Sequence, residues 1–220
     1  MRYVVDHIPR STPCNRRNGQ RITPTTITIH NTGNPRSTAR NERTWLTNPS
    51  NNVAASYHIV VDENEAIECV PLDERAIHSG TTAGNMTSIG VEICESGNYA
   101  KTLDNAAALV AKLLKERGWG VDRLRRHYDW SGKICPRLMY DGGKWTGWTE
   151  FKRMVAEKLT EKDGNNEMDK ISVKVNGKKV ADGLLDAKNG VTYVPVRVVA
   201  ENLGAKVTWN KADNCVEVTK

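Results

Sequence analysis

The chain has no long hydrophobic run, a single phenylalanine and no regular cysteine spacing. Each lack argues against a class of protein. No apolar stretch approaches the roughly 20 residues that a membrane-crossing helix requires, so no membrane span is expected. The opening segment, Met-Arg-Tyr-Val-Val-Asp-His-Ile-Pro-Arg, puts an acid and a histidine where a secretory signal needs an apolar core. The expectation is a chain made in the cytoplasm without a signal peptide. Five cysteines (Cys14, Cys69, Cys94, Cys135 and Cys215) are an odd number and show no disulfide framework. They are expected as thiols. With no zinc-finger spacing and no RNA-binding aromatic motif, nucleic acid is not an expected partner. The net charge of +6 is spread along the chain without long basic blocks and does not choose among acidic polymers.

What is present is globular. At 220 residues, 38% hydrophobic and 26% charged, the chain has room for one ordinary domain and a small second one. The polar stretch Thr160–Asp169 has linker composition. It divides residues 1–160 from 170–220, with 161–169 as the connection. Met168 within it offers a second start for translation. In the larger part, short β-branched segments predict strands at Thr25–His30, Ser56–Val61, Ala66–Val70 and Ser88–Glu92, the middle two forming a hairpin through 62–65. Helices are predicted at Thr38–Leu46, Asp104–Arg117 and Trp148–Leu159. The second carries an apolar stripe through Leu103, Ala107, Val110 and Leu114, with Gly118 as a stop. This order implies an α/β domain with a central mixed sheet flanked by helices. The tail reads as a small α+β unit: a hairpin through Asn176-Gly177, a helix over Arg197–Leu203 closed by Gly204, and two more strands at Lys206–Trp209 and Cys215–Val218.

Two segments about a hundred residues apart carry the chemistry. Thr-Ile-Thr-Ile-His30 is an alternating strand ending in histidine, and His127 stands eight positions before Cys135, with Lys133 between them. Two imidazoles and a thiolate would give Zn2+ three ligands and leave one tetrahedral position open, the mark of a catalytic zinc. Lys133 is placed to face a developing oxyanion, and Glu92, closing the strand Ser88-Ile-Gly-Val-Glu, to serve as a base or to orient water. Spacing alone equally allows a polar surface loop at 127–136 and a solvent-facing Glu92. Tyr57 and His58 are strand neighbours, so only one of them can face such a site. His58 reads as a buried supporting histidine. His78 lines a pocket or decorates a turn, and Cys69 and Cys94 read as small buried hydrophobes.

Taken together, Ile-His30-Asn-Thr, Ser-Tyr57-His58-Ile-Val-Val-Asp, Ala-Ile-His78-Ser-Gly, Asn85-Met-Thr-Ser-Ile-Gly-Val-Glu92 and His127 through Lys133-Ile-Cys135-Pro136 resemble the type 2 N-acetylmuramoyl-L-alanine amidases. That family is shared by phage endolysins, bacterial autolysins and peptidoglycan recognition proteins. The resemblance covers most of the first 160 residues. It implies zinc ligands at His30, His127 and Cys135, a catalytic Glu92, a transition-state stabiliser in Lys133, and a tyrosine, Tyr57, that some members use in catalysis. Glu92 is favoured over Tyr57 for the proton, because a carboxylate is the better base near neutral pH. His78, Asn31 and Asn85 are the candidates for touching substrate. The implied reaction is hydrolysis of the amide between N-acetylmuramic acid and L-alanine in peptidoglycan, and the alternative is a recognition protein without activity. Absence of a signal peptide would suit release through a phage-encoded membrane hole.

The stretch Tyr193-Val-Pro-Val through Thr208-Trp209 resembles the small copper-amine-oxidase N-terminal-like module of bacterial surface proteins. Joined to an amidase, it implies a tether to wall polymers, with a spacer or dimerisation unit as the plainer alternative.

Overall fold

In a computed structural model, which describes residues 1–160, 169–186 and 190–220, the chain divides into two compact units, Met1–Glu161 and Lys162–Lys220. Of the expected linker at 161–169, residues 161–168, with Met168, lie outside the described residues, and Asp169 already belongs to a strand.

The first unit is built in the order β1 (Arg2–Val5), β2 (Thr26–Asn31), α1 (Ala39–Thr47), β3 (Ile59–Val61), β4 (Glu65–Glu68), α2 (Thr82–Thr87), β5 (Ser88–Ile93), α3 (Tyr99–Lys115), β6 (Leu124–Arg126), α4 (Tyr128–Ser131) and α5 (Thr146–Thr160). Its strands form one mixed sheet in the order β1-β4-β3-β5-β2-β6. The β3–β4 hairpin is antiparallel and the other pairs are parallel. Strands β2 and β5 read off the alternating sequence. Ile27, Ile29, Ile89, Val91 and Ile93 pack one face against Leu109, Val110, Leu113 and Leu114 of α3 and Phe151 and Val155 of α5. The residues between them, Thr28, His30, Ser88, Gly90 and Glu92, therefore share the opposite face. A second core, around Leu46, Val60, Ile67, Cys69 and Cys94, packs beside α1.

Local chemistry sets the element ends. Thr38 caps α1 in a reciprocal box, accepting from Asn41 N at 3.2 Å while its own N–H donates to Asn41 Oδ1 at 3.1 Å. Asp62 closes the hairpin by accepting from Asn64 N and Glu65 N, and its other oxygen takes the first amide of α1, from Ala39, at 2.9 Å. Helix α3 starts five residues before the predicted position, because Asn98 caps it and accepts from Lys101 N. The predicted strand Ser56–Val61 is regular only over Ile59–Val61. Ser56 instead hydrogen-bonds the backbone of Ile77, so this stretch joins a loop to the sheet.

The second unit contains β7 (Asp169–Val175), β8 (Lys178–Asp186) and β9 (Val191–Tyr193) in one antiparallel sheet, then α6 (Val196–Asn202) and the hairpin β10 (Lys206–Asn210)–β11 (Cys215–Thr219). Asn176 and Gly177 both take positive φ, 48° and 79°, as a two-residue hairpin turn demands. Among the described residues no helix is long and apolar enough to cross a membrane.

One buried cation went unread in the sequence. Arg16 is fully buried, and its guanidinium donates to the carbonyls of Leu46, Asn51 and Val53, tying down the loop that follows α1. Removing it strands the buried carbonyls of Leu46 and Asn51, each worth about 1–3 kcal/mol when unpaired. Arg16→Ala is expected to destabilise the protein by about 2–4 kcal/mol in urea denaturation. Arg16→Lys is expected to recover only part of that, since an ammonium cannot span the same fork.

Candidate metal centre and active site

The carboxyl ends of the parallel strands β2, β5 and β6 meet at one point, which is where open α/β sheets place their ligands. His30 sits near the end of β2, Glu92 is its register partner on β5, and His127 follows directly after β6. Gly132, at φ 73°, ends α4 and turns the chain back, so that Cys135 returns beneath His127 with its carbonyl accepting from Tyr128 N at 3.1 Å.

His30, His127 and Cys135 are all buried, with one ligand atom of each lying within 4.8 Å of the others. His30 Nδ1 stands 3.1 Å from His127 Nδ1 and 3.7 Å from Cys135 Sγ. Ions bonded at about 2.0–2.1 Å to nitrogen and 2.3 Å to sulfur in tetrahedral geometry hold their ligands about 3.3 Å apart for N–N and 3.6 Å for N–S. Both separations from His30 therefore fit a tetrahedral metal of the zinc type, and His127 and Cys135 stand within 4.8 Å of each other. The protonation states agree. Burial, followed by the neighbouring imidazoles, holds His30 well below its ordinary value, and burial with Lys133 lowers His127 to about 4. Both rings are thus neutral ligands at neutral pH. In the absence of an ion, burial pushes the Cys135 thiol up to about 12; a bound cation reverses that ordering.

A cavity of about 650 Å³ opens over this group and is lined by His30, Asn31, Glu42, Trp45, Tyr57, His78, Glu92, His127, Lys133 and Cys135. Glu92 Oε1 lies 3.9 Å from His30 Nδ1, and Glu92 Oε2 is buried without a hydrogen-bond partner among the described residues. Burial raises this carboxyl to about 8, with Glu42 adding to the rise and Lys133 opposing it. Lys133 itself is exposed at the cavity rim. Tyr57, rather than His58, faces the cavity. Its hydroxyl donates to the Glu42 carbonyl at 2.8 Å, and burial holds the phenol well above its ordinary pKa. His58 lies beneath, with Nδ1 accepting from Gly90 N and Nε2 donating to the Glu74 carbonyl, each at 2.8 Å.

The three residues expected to touch substrate behave differently. Asn31 reaches the wall, but its side chain is committed inward: Oδ1 accepts from Leu138 N at 3.0 Å, and Nδ2 donates to the Tyr99 hydroxyl at 3.1 Å. Asn85 does not line the cavity. Its Oδ1 accepts from the backbone amides of His78 and Ser79, each at 2.9 Å, and shapes the turn there. His78 borders the cavity but spends both ring nitrogens on the protein, at His30 Nε2 and the Ser88 carbonyl. Sequence reading missed Glu42 and Trp45, which α1 presents to the cavity together with Asn41. Their spacing along one helix face was the available signal. It also missed Glu95, which accepts from Gly33 N and pairs with Arg137 to anchor the loop after Cys135.

The sequence profile of the N-acetylmuramoyl-L-alanine amidases matches residues 19–138, a span that holds every residue named above for the metal and the catalytic groups. The chain belongs to the N-acetylmuramoyl-L-alanine amidase family. It is 47% identical over 126 residues to the amidase XlyB of Bacillus subtilis (strain 168), covering 54% of this chain and 39% of that protein. It is 40% identical over 154 residues to CwlA of the same strain, covering 67% and 54%. It therefore spans only about half or less of these relatives. The solved catalytic domain of XlyA superposes with a TM-score of 0.64 at 35% identity, covering 70% of this chain and 99% of that one. Residues 143–220 match the copper amine oxidase N-terminal domain. The first part of that match is α5, which packs against α3 in the first unit.

The raised Glu92 has a consequence for stability. Below pH 4.5 this carboxyl is protonated folded or unfolded and contributes nothing; between 4.5 and about 8 only the unfolded chain ionises, so stability falls as pH rises. In metal-free protein, Glu92→Gln is expected to be more stable than the parent by about 1–3 kcal/mol at pH 7 and no more stable at pH 4. Urea denaturation at the two pH values measures it.

Proposed function

We propose that the first unit is a zinc-dependent N-acetylmuramoyl-L-alanine amidase that hydrolyses the amide between the lactyl group of N-acetylmuramic acid and the L-alanine of the stem peptide. One observation carries the reading: an incomplete set of neutral and thiol ligands, His30, His127 and Cys135, opens into the same cavity as an unpartnered buried carboxylate. Zinc, when bound, supplies Lewis acidity that polarises the scissile carbonyl and acidifies the attacking water.

The chain's own residues do the rest. Glu92 takes the proton from water and returns it to the departing alanine nitrogen. A dication bound beside it would oppose the effect of burial and favour the carboxylate that a base must be. The Lys133 ammonium faces the oxygen that gains charge in the tetrahedral intermediate. Tyr57 is a poor candidate for the base, because its proton is held tightly and its hydroxyl is engaged with Glu42. It shapes the wall instead. The presence of Cys135 and a buried Glu92 favours an enzyme over a recognition protein without activity.

Residues 170–220 we read as a tether to wall polymers, which would raise the local concentration of enzyme on its insoluble substrate. Exposed Tyr193 and Trp209 give that unit apolar contact surface.

Purified wall incubated with zinc-loaded protein is expected to yield new L-alanine amino termini, and chelated protein none. Glu92→Gln should keep its zinc and lose about 100-fold or more of activity. Cys135→Ser should lose the metal itself, and unchanged zinc content by elemental analysis would reject this ligand. A chain ending at Thr160 should keep the chemistry and sediment less with walls; equal sedimentation defeats the tether.

A further inference from the structure

We propose that His78 is a positioning residue of the metal centre: it accepts the Nε2 proton of His30 and so turns the Nδ1 lone pair of His30 toward His127 and Cys135. The inference rests on the metal reading above and assigns His78 to the protein side of the cavity, not to substrate.

The direction of each hydrogen bond follows from one fixed point. The Ser88 carbonyl can only accept, and His78 Nε2 lies 3.1 Å from it, so that nitrogen carries the proton. A neutral His78 then has its lone pair on Nδ1. His30 Nε2 lies 3.1 Å from this Nδ1 and must be the donor. With its proton on Nε2, a neutral His30 has only Nδ1 left for a metal, and Nδ1 is the atom 3.1 Å from His127 and 3.7 Å from Cys135. The neutrality of the rings rests on crowding. The His30 centroid is 5.2 Å from that of His78 and 4.8 Å from that of His127, and all three are buried, so an added proton would be both desolvated and repelled.

The surroundings are built for this ring. A Cβ on Gly90 would fall 2.6 Å from His78 Cγ, so any side chain at that position would displace the imidazole. Asn85 holds the backbone of His78 from the other side, through its amide at 2.9 Å. Metal-bound histidines generally give their second proton to a carboxylate, carbonyl or water. Here a second histidine stands between the ligand and the carbonyl and extends the chain by one ring.

The test uses the full chain. Zinc affinity is measured by competition with a chromophoric chelator for the parent, His78→Phe and His78→Asn, while the ring protons of 15N-labelled histidines report the tautomers. Phenylalanine keeps the ring shape and removes the acceptor; asparagine places an acceptor oxygen near the Nδ1 position. We expect zinc affinity to fall about 10–100-fold in His78→Phe and to stay within about threefold of the parent in His78→Asn. We expect His30 to be protonated on Nε2 in the parent. Equal affinity in parent and His78→Phe overturns the proposal, as does a parent in which His30 carries its proton on Nδ1. If His78→Phe fails to fold, the tautomer of the parent decides alone. A parent that binds no zinc but keeps Nε2-protonated His30 overturns the metal reading and leaves the His78 contact standing.

Discussion

Desolvation of a small group of imidazoles is the constraint on which the site depends. His30, His58, His78 and His127 are packed into the polar face of β2 and β5, out of water and near one another. None can be protonated at neutral pH without leaving a charge uncompensated in a dry pocket. The same dryness lifts Glu92 and Cys135. A divalent cation answers all of these costs together. Held by His30, His127 and Cys135, it would take up their free lone pairs and favour the thiolate. The pocket is thus poorly suited to holding protons and well suited to holding a metal.

Because the sheet alternates, this polar face can exist without breaking the core. Ile27 and Ile29 face α3 and α5 while Thr28 and His30 face the site, and β5 repeats the pattern one strand away. Apart from Glu92 Oε2, the polar side chains buried on this face find partners among the described residues. Thr28 Oγ1 is 2.6 Å from Ser88 Oγ and accepts from Trp130 Nε1 at 2.8 Å. That second contact fastens the segment carrying His127 to β2. Asn31 to Leu138 and Glu95 to Arg137 fasten the far end of the same segment. At about 1 kcal/mol net for each such bond, and more for the charged pair, these contacts shape the ligand set before any ion arrives. This is unlike a small zinc domain that folds only around its metal.

Much of this was legible in the chain. β2 and β5 were read to within a residue at each end, since β-branched alternation bounded by turn residues leaves little choice of register. That His30, His127, Cys135 and Glu92 come together was legible from the family resemblance, since spacing alone allowed a surface loop at 127–136 as readily. What was not legible has physical reasons as well. β1 and β6 are short edge strands, and Leu124-Arg125-Arg126 looks like a polar loop until β2 supplies its partner. The start of α3 depended on an asparagine cap five residues before the apolar stripe. His78 and Asn85 carry functional-looking chemistry, yet their partners are backbone atoms and another histidine, which no pattern in the sequence declares. Glu42 and Trp45 belong to the cavity only because β3 and the loop held by Arg16 bring α1 to its edge.

The site has a rigid half and a loop half. His30 and Glu92 are register partners on central strands, so their separation is set by the sheet. His127, Lys133 and Cys135 come from one returning segment whose only regular element is a single short helix. Cys135 is two residues from Lys133. A metal bonded to both halves would therefore fix more than its ligands: by pinning Cys135 it would also restrict where the exposed Lys133 side chain can stand relative to Glu92. On the proposed reading of Lys133 as the oxyanion donor, that donor would be coupled to the metal through the chain as well as through space. Losses of Cys135 and Lys133 should then not add as independent events, because removing the first already loosens the second.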